Sequence, residues 1–198
     1  TELIKTNDTA NTPEKTTTNN ESVVFTVANY TTNAITINGT SYTYASDVQA
    51  IFNESNKVAL TGAKVTATIN NGVITKVTNV TLNQSGSTKN PLILSAKATI
   101  NELTINADYI EVKDVHVTGN ALITNAASTA ATFNKAKIDK QIIVTESTYK
   151  AASLHPTFAK DTTKPTITLK NTTVSGMTIK RNGAIEADDT IPTVTITD

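Results

Sequence analysis

Three carboxylates lie close together in the stretch EADD near the end of the chain, and they are the strongest candidates for binding chemistry. Glu186, Asp188 and Asp189 supply hard oxygen ligands of the kind that Ca²⁺ prefers. The stretch lacks the complete D-x-D-x-D-G pattern of a calcium-binding loop, so a hydrated acidic loop is the alternative. These three residues are the candidate metal site, with Ca²⁺ as the ion it would bind, and the hydrated loop is the favoured interpretation.

The two histidines are the next candidates. His116 alternates with Val115 and Val117, which predicts that it points outward from a strand, and His155 precedes Pro156 in a polar stretch. Both are interpreted as solvated surface residues. The sequence contains no Ser–His–Asp spacing, no HExxH motif and no Gly-rich phosphate loop, so no catalytic and no cofactor-binding residue is predicted.

Composition favours an all-β protein without strong charge. Of the 198 residues, 17 are Lys or Arg and 17 are Asp or Glu, so neither sign predicts a nucleic-acid or anionic-membrane partner. The absence of Cys excludes disulfides and thiolate metal sites. Thr makes up about a fifth of the chain, and β-branched residues favour strands. No apolar run is long enough to predict a membrane span.

The chain divides into three predicted segments. Residues 1–21 are polar and predict a flexible lead-in, unless Leu3 and Ile4 belong to the last strand of a preceding domain. Residues 22–84 predict a small β-barrel or sandwich of about six strands. Residues 91–198 predict a short β-solenoid that stops partway through its last coil. The chain begins with Thr, from which we expect a fragment or a mature segment of a longer protein.

Turn and helix signals position the elements of residues 22–84. Asn38-Gly39 and Asn71-Gly72 predict two-residue hairpins. The stretch 45–54 predicts a helix, with a capping box formed by Ser46 and Gln49. The predicted core of this segment comprises Val24, Phe25, Ile37, Tyr42, Val48, Phe52, Leu60, Val65, Ile69 and Ile74.

A repeated pattern predicts the β-solenoid. Aligned copies begin at Val112, Phe133 and Leu169, and the third copy follows a loop insertion at 148–164. A period near 20 residues without helices is typical of a β-solenoid, in which like residues lie above like residues. The apolar positions five and ten residues further on predict two more ladders: Val117, Ile138 and Val174, and then Leu122, Ile143 and Ile179.

Corner residues are predicted within each copy. Asp114 and Asn171 lie two residues after the first apolar position, where a bend favours residues that tolerate left-handed backbone. Gly119 and Gly176 predict a second corner with positive φ.

Two further stretches match the repeated pattern imperfectly. The stretch INELTI at 100–105 is expected on a different face or in a short first coil. At the chain end, Val194 and Ile196 are aligned with Ile167 and Leu169, and Asp198 with Asn171.

Stacking the copies places polar residues in three outward columns. They are Lys113, Asn134 and Lys170; His116, Lys137 and Thr173; and Thr118, Asp139 and Ser175. These columns hold one carboxylate, whereas acid–base cleavage of a glycosidic bond uses a pair. The columns therefore argue against an enzyme.

Two stretches carry a family resemblance. SYTYASDVQAIFNESNKVALTGAKVTATINNGVITKVTNVTL resembles the small β domains of surface-layer proteins of Gram-positive bacilli. ATINELTINADYIEVKDVHVTGNALI is similar to the short right-handed, pectate-lyase-like parallel β-helices of such cell-surface proteins. The resemblance covers roughly residues 22–198, and the cell-wall-anchoring motifs of the family are absent from this chain.

The resemblance implies an extracellular, non-catalytic building block of a two-dimensional array at the bacterial cell wall, often assembled with calcium. Its implied partners are other copies or neighbouring domains of the full-length protein, and cell-wall polysaccharide. The alternatives are a polysaccharide lyase or hydrolase built on a β-helix, and a glycan-binding adhesin.

Overall fold

The computed structural model describes residues 20–124, 127, 129–145 and 164–197. These residues form an all-β protein, as predicted, and its strands lie in two sheets. Nearly all of the predicted lead-in, together with His155 and Asp198, lies outside the described residues. Among the residues described, no helix is long and apolar enough to cross a membrane.

Residues 20–82 form what we call the N-terminal unit. Its strands are β1 (Glu21–Thr26), β2 (Ala34–Ile37), β3 (Thr40–Tyr44), β4 (Lys64–Asn70) and β5 (Val73–Leu82), in the spatial order β1-β4-β5-β3-β2. All pairs are antiparallel except β3 with β5. Five strands form here, against about six predicted.

Both predicted hairpins are confirmed. Asn38 and Gly39 join β2 to β3 with φ of 49° and 82°, and Asn71 and Gly72 join β4 to β5 with φ of 48° and 79°. Positive φ at both central residues is the requirement of a type I′ turn, which Asn-Gly meets at low steric cost.

The helix that forms is much shorter than the stretch 45–54 for which a helix was predicted. Helix α1 spans Ser46–Gln49 and is followed by a 3-10 turn at Glu54–Asn56 and helix α2 at Lys57–Leu60. The predicted capping box is wrong. No side chain caps α1, and the Gln49 side-chain amide donates instead to the Thr32 carbonyl.

The predicted core of this unit is buried or half-buried apart from Val24, which is 55% exposed. On β1 the neighbouring Phe25 is buried, so Val24 must point to the opposite face because side chains alternate along a strand. The prediction for Val24 was therefore wrong.

Residues 92–197 form what we call the parallel region, in which all strand pairs are parallel. Its first strands are β6 (Leu92–Ser95), β7 (Thr99–Ile100), β8 (Glu102–Ile105), β9 (Ile110–Lys113), β10 (His116–Val117) and β11 (Ala121–Ile123). The remaining strands are β12 (Ala130–Asn134), β13 (Lys137–Val144), β14 (Thr166–Lys170), β15 (Thr173–Ile179), β16 (Ala184–Ala187) and β17 (Val194–Ile196).

Five repeats build this region, and each contributes to both sheets. The repeats are β6 to β8, β9 to β11, β12 with β13, β14 with β15, and β16 with β17. The first strand of each repeat lies in a five-stranded sheet of order β16-β14-β12-β9-β6. The later strands lie in the larger sheet, which also contains the N-terminal unit.

The first predicted ladder is confirmed. Phe133 pairs with Val112 on one side and with Leu169 on the other, and all three side chains are buried. The second ladder is confirmed as well, since Ile138 pairs with both Val117 and Val174.

The predicted corners are confirmed at Asp114 and Asn171, whose φ values are 57° and 47°, and Lys135 at the equivalent position has φ of 52°. The predicted glycine corners are wrong, because neither Gly119 nor Gly176 has positive φ. Gly119 is required for a different reason: a Cβ there would lie 2.5 Å from the Asn101 carbonyl oxygen.

The third predicted ladder is wrong. Leu122 does pair with Ile143, but both are half-buried and alternate with buried neighbours, while Ile179 pairs with Val144 in the core. A β-bulge between Ile138 and Gln141 shifts the register of β13 and β15 by one residue, so Ile179 pairs with Val144 and not with Ile143.

The alignment of the chain end with the first strand of the fourth repeat is also wrong. Val194 pairs with Met177, and Ile196 pairs with Ile179, in the other sheet. INELTI lies in a different sheet from β9, since Ile100 pairs with Val117, and it also belongs to the first repeat, so the structure fits both alternatives.

One apolar ladder runs through the larger sheet from the N-terminal unit to the last repeat. It contains Leu82, Ile105, Ile123, Val144, Ile179 and Ile196, each paired with the next. We call this set the long ladder. Because β5 pairs with β8, the core is continuous across the predicted boundary at 84–91, and the division into two domains stays a prediction.

Candidate functional site

The predicted acidic group lies in the last repeat. Glu186 is on β16, Asp188 follows directly, and all three carboxylates are exposed. Both carboxylate oxygens of Asp188 accept the backbone N–H of Asn171, at 2.8 and 3.0 Å. Asp188 thus stabilises the left-handed corner of the preceding repeat. Within the described residues, no group of three or more His, Cys, Asp or Glu side chains could hold a metal ion.

We expect Asp188→Ala to lower the free energy of unfolding by about 1 kcal/mol, because a charge-assisted hydrogen bond to a backbone N–H is lost at an exposed site. Urea unfolding with and without CaCl₂ measures this loss. If the acidic group also binds calcium, the ion raises the melting temperature of the wild type and not that of Asp188→Ala. An unchanged stability of the variant would contradict the corner role.

A second polar group lies on the exposed face of the larger sheet, and we call it the His–Asp–Lys cluster. Asp139 on β13 contacts His116 on β10 through Oδ2 and Nε2 at 2.8 Å. Its Oδ1 contacts Nζ of Lys137 at 2.9 Å, and its backbone carbonyl accepts the hydroxyl of Ser175 at 2.7 Å. The His116 and Asp139 side chains are about one-third exposed.

These contacts hold the pKa of the Asp139 carboxyl below its usual range, first through the hydrogen bond from Lys137 and then through that from His116. A lowered folded-state pKa means that ionised Asp139 stabilises the fold above the pKa of the unfolded chain, and that this contribution is lost as pH falls through the lower folded value.

We therefore expect Asp139→Asn to be less stable than the wild type at pH 7, with a difference that shrinks below about pH 4, where the unfolded-state carboxyl begins to be protonated. Urea unfolding of both proteins between pH 7 and pH 3 tests this. Asp47→Asn, which removes an exposed carboxylate of the N-terminal unit, is the control. A difference that stays constant with pH would contradict the assigned contacts.

Sequence reasoning placed these residues in adjacent columns but missed their contact. His116 pairs with Lys137 as expected, whereas Asp139 lies two residues further along β13 and reaches His116 diagonally. The cluster positions an imidazole beside a carboxylate and an ammonium group on an accessible face. Such a group could donate and accept hydrogen bonds to the hydroxyls of a saccharide.

At the end of the parallel region next to the N-terminal unit, β8 and β6 are covered, whereas β7 pairs only with β10 among the described strands. In the larger sheet β8 pairs with β5 of the N-terminal unit. In the smaller sheet β6 is the edge strand, and the buried Asn56 binds it: Asn56 Oδ1 accepts the backbone N–H of Ser95 at 2.8 Å, and its Nδ2 donates to the Ser95 carbonyl at 3.0 Å. Asn56 thus replaces a neighbouring strand.

The opposite end, which we call the open end, consists of β16 and β17. Each is the outermost strand of its sheet among the described residues. In the long ladder, Ile179 is 7% exposed and Ile196 is 75% exposed, although earlier members are fully buried. Val194 is 44% exposed. A cavity of about 130 Å³ opens here, with a lining that includes Val144, Ile167, Ile185 and Ile196 and no polar side chain.

Comparisons with models of protein families, with curated proteins and with solved structures found no match to this chain.

Proposed function

We propose that the chain is a non-catalytic structural module of a bacterial cell-surface protein of the surface-layer type, and that it forms a rigid building block of an extracellular array. In this proposal residues 91–198 form a short right-handed parallel β-helix, and residues 22–84 form a small β-barrel or sandwich. The surface location depends on the resemblance of the two stretches described above.

The observation that carries the proposal is the long ladder. Six aliphatic residues from Leu82 to Ile196 are paired in succession, and the first five lie in a single core that the N-terminal unit shares with the first four repeats. Ile185 and Ile191 of the last repeat are partly buried and pack against this core. A strand hydrogen-bonded on both sides and packed on such a core resists bending and local opening. Rigidity along the stacking direction is what a lattice module requires.

Polar side chains add further contacts between repeats. The Asn120 amide oxygen accepts the backbone N–H of Gln141, and the Gln141 amide oxygen accepts the hydroxyl of Thr178. Asn134 donates to the Glu111 carboxylate at 2.8 Å. These bonds connect successive repeats outside the core and support the same interpretation.

Immunogold electron microscopy of the producing cells, with antibodies against this chain, tests the proposal. We expect label on the outer surface of intact cells and in the isolated wall fraction. The proposed partners are other copies or neighbouring domains of a longer protein and cell-wall polysaccharide, with Ca²⁺ at Glu186, Asp188 and Asp189 as the proposed assembly ion. Label confined to the cytoplasm would contradict the proposal.

A polysaccharide-directed function is the second candidate, either as an adhesin or as a β-helix lyase or hydrolase. One observation favours it, namely the exposed His–Asp–Lys cluster. Binding to a panel of wall and plant polysaccharides, and their cleavage in the presence of calcium, would be measured for the wild type and for His116→Ala. Binding or cleavage that requires His116 would favour this candidate over the purely structural one.

A further inference from the structure

We propose that one corner of the parallel region binds an acidic polysaccharide through a band of lysines. In each repeat this corner leads from the smaller sheet into the larger one, and with its flanking strand residues it comprises 95–99, 113–118, 134–140 and 170–175 in the first four repeats. We call these four segments the lysine band. The inference deepens the proposed function and rests on it, since it names the surface and the chemistry by which the module would hold cell-wall polysaccharide.

The lysine band concentrates positive charge on a chain whose net charge is zero. Half of the described lysines lie in it, and all six are exposed or half-buried: Lys97, Lys113, Lys135, Lys137, Lys140 and Lys170. Its carboxylates are Asp114 and Asp139, so six positive and two negative charges leave +4. Glu111 and Asp188 border the band, and each accepts a hydrogen bond from a residue of the band. A local excess of one sign attracts polymers of the other sign.

Most of this positive charge has no partner within the described residues. Lys137 alone of the six forms an ion pair there, at 2.9 Å from Asp139. The other five ammonium groups have no carboxylate partner in that part of the chain. Strand pairing also fixes their spacing, because Lys113 and Lys170 pair with Asn134 from opposite sides and thus lie about 10 Å apart. The backbone that carries these charges needs no ordering when a ligand binds.

A row of hydrogen-bonding side chains runs beside the ammonium groups. Thr99, His116, Lys137 and Thr173 follow one another in register across the four repeats, and all are exposed or half-buried. Neighbouring strands are about 4.8 Å apart, a step close to the length of one sugar unit in an extended chain. Hydroxyl, imidazole and ammonium groups can therefore meet the hydroxyls of successive sugars while the neighbouring lysines meet the anionic groups.

A single-stranded nucleic acid would offer the same charge, but such strands are usually held by aromatic side chains on which the bases stack. The lysine band contains no Phe, Tyr or Trp. Positive charge and hydroxyl groups without a stacking surface favour a polysaccharide. Its anionic group is a carboxylate or a phosphate, since the lysine ammonium group is a point charge that suits either.

Calorimetric titration of the 198-residue chain with polygalacturonate, which carries carboxylates, and with phosphomannan, which carries phosphates, distinguishes the two anionic groups. Mannan is the neutral control, and oligo(dT) represents nucleic acid. We expect binding to at least one acidic polymer, weakened as NaCl rises, and no binding to mannan.

The triple variant Lys97→Gln, Lys135→Gln and Lys170→Gln removes three exposed lysines of the band and should weaken this binding about ten-fold. The matched control is the triple variant Lys64→Gln, Lys76→Gln and Lys89→Gln. It removes three exposed lysines outside the band, lowers the net charge by the same amount and should have little effect. Circular dichroism confirms the folding of both variants.

The absence of binding to both acidic polymers overturns the inference. Equal losses in the two triple variants also overturn it, because a general charge effect would then explain the binding, and so does tighter binding to oligo(dT). Immunogold labelling is independent of these results: surface label without polymer binding sinks only this inference, and polymer binding without surface label sinks only the proposed function.

Discussion

Phe133→Ala is expected to lower the free energy of unfolding by about 3–5 kcal/mol, the usual cost of truncating a fully buried aromatic residue. Phe133 is 0% exposed and pairs with Val112 and Leu169 in the smaller sheet. Removing its ring leaves a cavity between two neighbouring repeats that the paired backbones prevent from closing. Urea unfolding followed by circular dichroism measures the loss.

Two variants of the same strand give the comparison. Phe133→Leu keeps most of the apolar volume and should cost about 1–2 kcal/mol. Thr132→Ala changes a half-buried residue of the opposite face and should change stability by about 0.5 kcal/mol or less. If Phe133→Ala were no more harmful than Thr132→Ala, the inward ladder of this sheet would not exist.

Asn56→Ala is expected to cost about 2–4 kcal/mol. Asn56 is 0% exposed. Its amide oxygen accepts the backbone N–H of Ser95, and its amide nitrogen donates to the carbonyls of Ser95 and Ile51. The Ser95 carbonyl also accepts the side-chain amide of Asn53. Alanine at position 56 removes the oxygen that accepts the Ser95 N–H. An unsatisfied buried polar group costs about 1–3 kcal/mol beyond the lost packing. Thermal and urea unfolding measure the effect.

Ser55→Ala is the matched control for Asn56→Ala. Ser55 is exposed and one residue away, and its hydroxyl donates to the Asn53 side chain. We expect its loss to change stability by about 0.5 kcal/mol. Hydrogen exchange of the Ser95 amide adds a local measurement, since it should become faster in Asn56→Ala and not in Ser55→Ala. Equal effects of the two variants would contradict the role of Asn56 at the β6 edge.

The sequence predicted those features that depend on a single residue type or on exact repetition. Asn-Gly pairs require positive φ and gave both hairpins, and Asp114 and Asn171 identified the corner of the repeat. The ladder of Val112, Phe133 and Leu169 followed from aligning like with like.

The wrong strand partners have one physical cause: the sequence does not determine the register in which two strands pair. The bulge after Ile138 inserts one residue, and no residue type in the sequence predicts it. It pairs Ile179 with Val144 and not with the expected partner Ile143. Val194 was aligned with the wrong strand because Thr-Ile-Thr patterns occur in both sheets. A period-two pattern fixes the alternation of a strand without fixing its neighbour.

The candidate sites were predicted less completely than the fold. The contact of His116 with Asp139 joins residues 23 apart in the chain through a diagonal across two strands, and it needs both the pairing and the side-chain directions. The role of Asn56 depends on Ser95, 39 residues away and on the edge of a sheet. Calcium binding by Glu186, Asp188 and Asp189 stays a prediction.

Cysteine cross-linking between neighbouring repeats tests the central claim, the parallel register, most directly. The chain contains no Cys. Thr132 pairs with Thr168, 36 residues later, whereas Thr166 pairs with Ala130. We expect Thr132→Cys with Thr168→Cys to be joined rapidly by a short bifunctional thiol reagent in the folded protein, and the closed loop to add roughly 3–4 kcal/mol of stability. Thr132→Cys with Thr166→Cys should react much more slowly. Equal rates for the two pairs, or faster joining of the second, would contradict the register on which the fold, the open end and the proposed function depend.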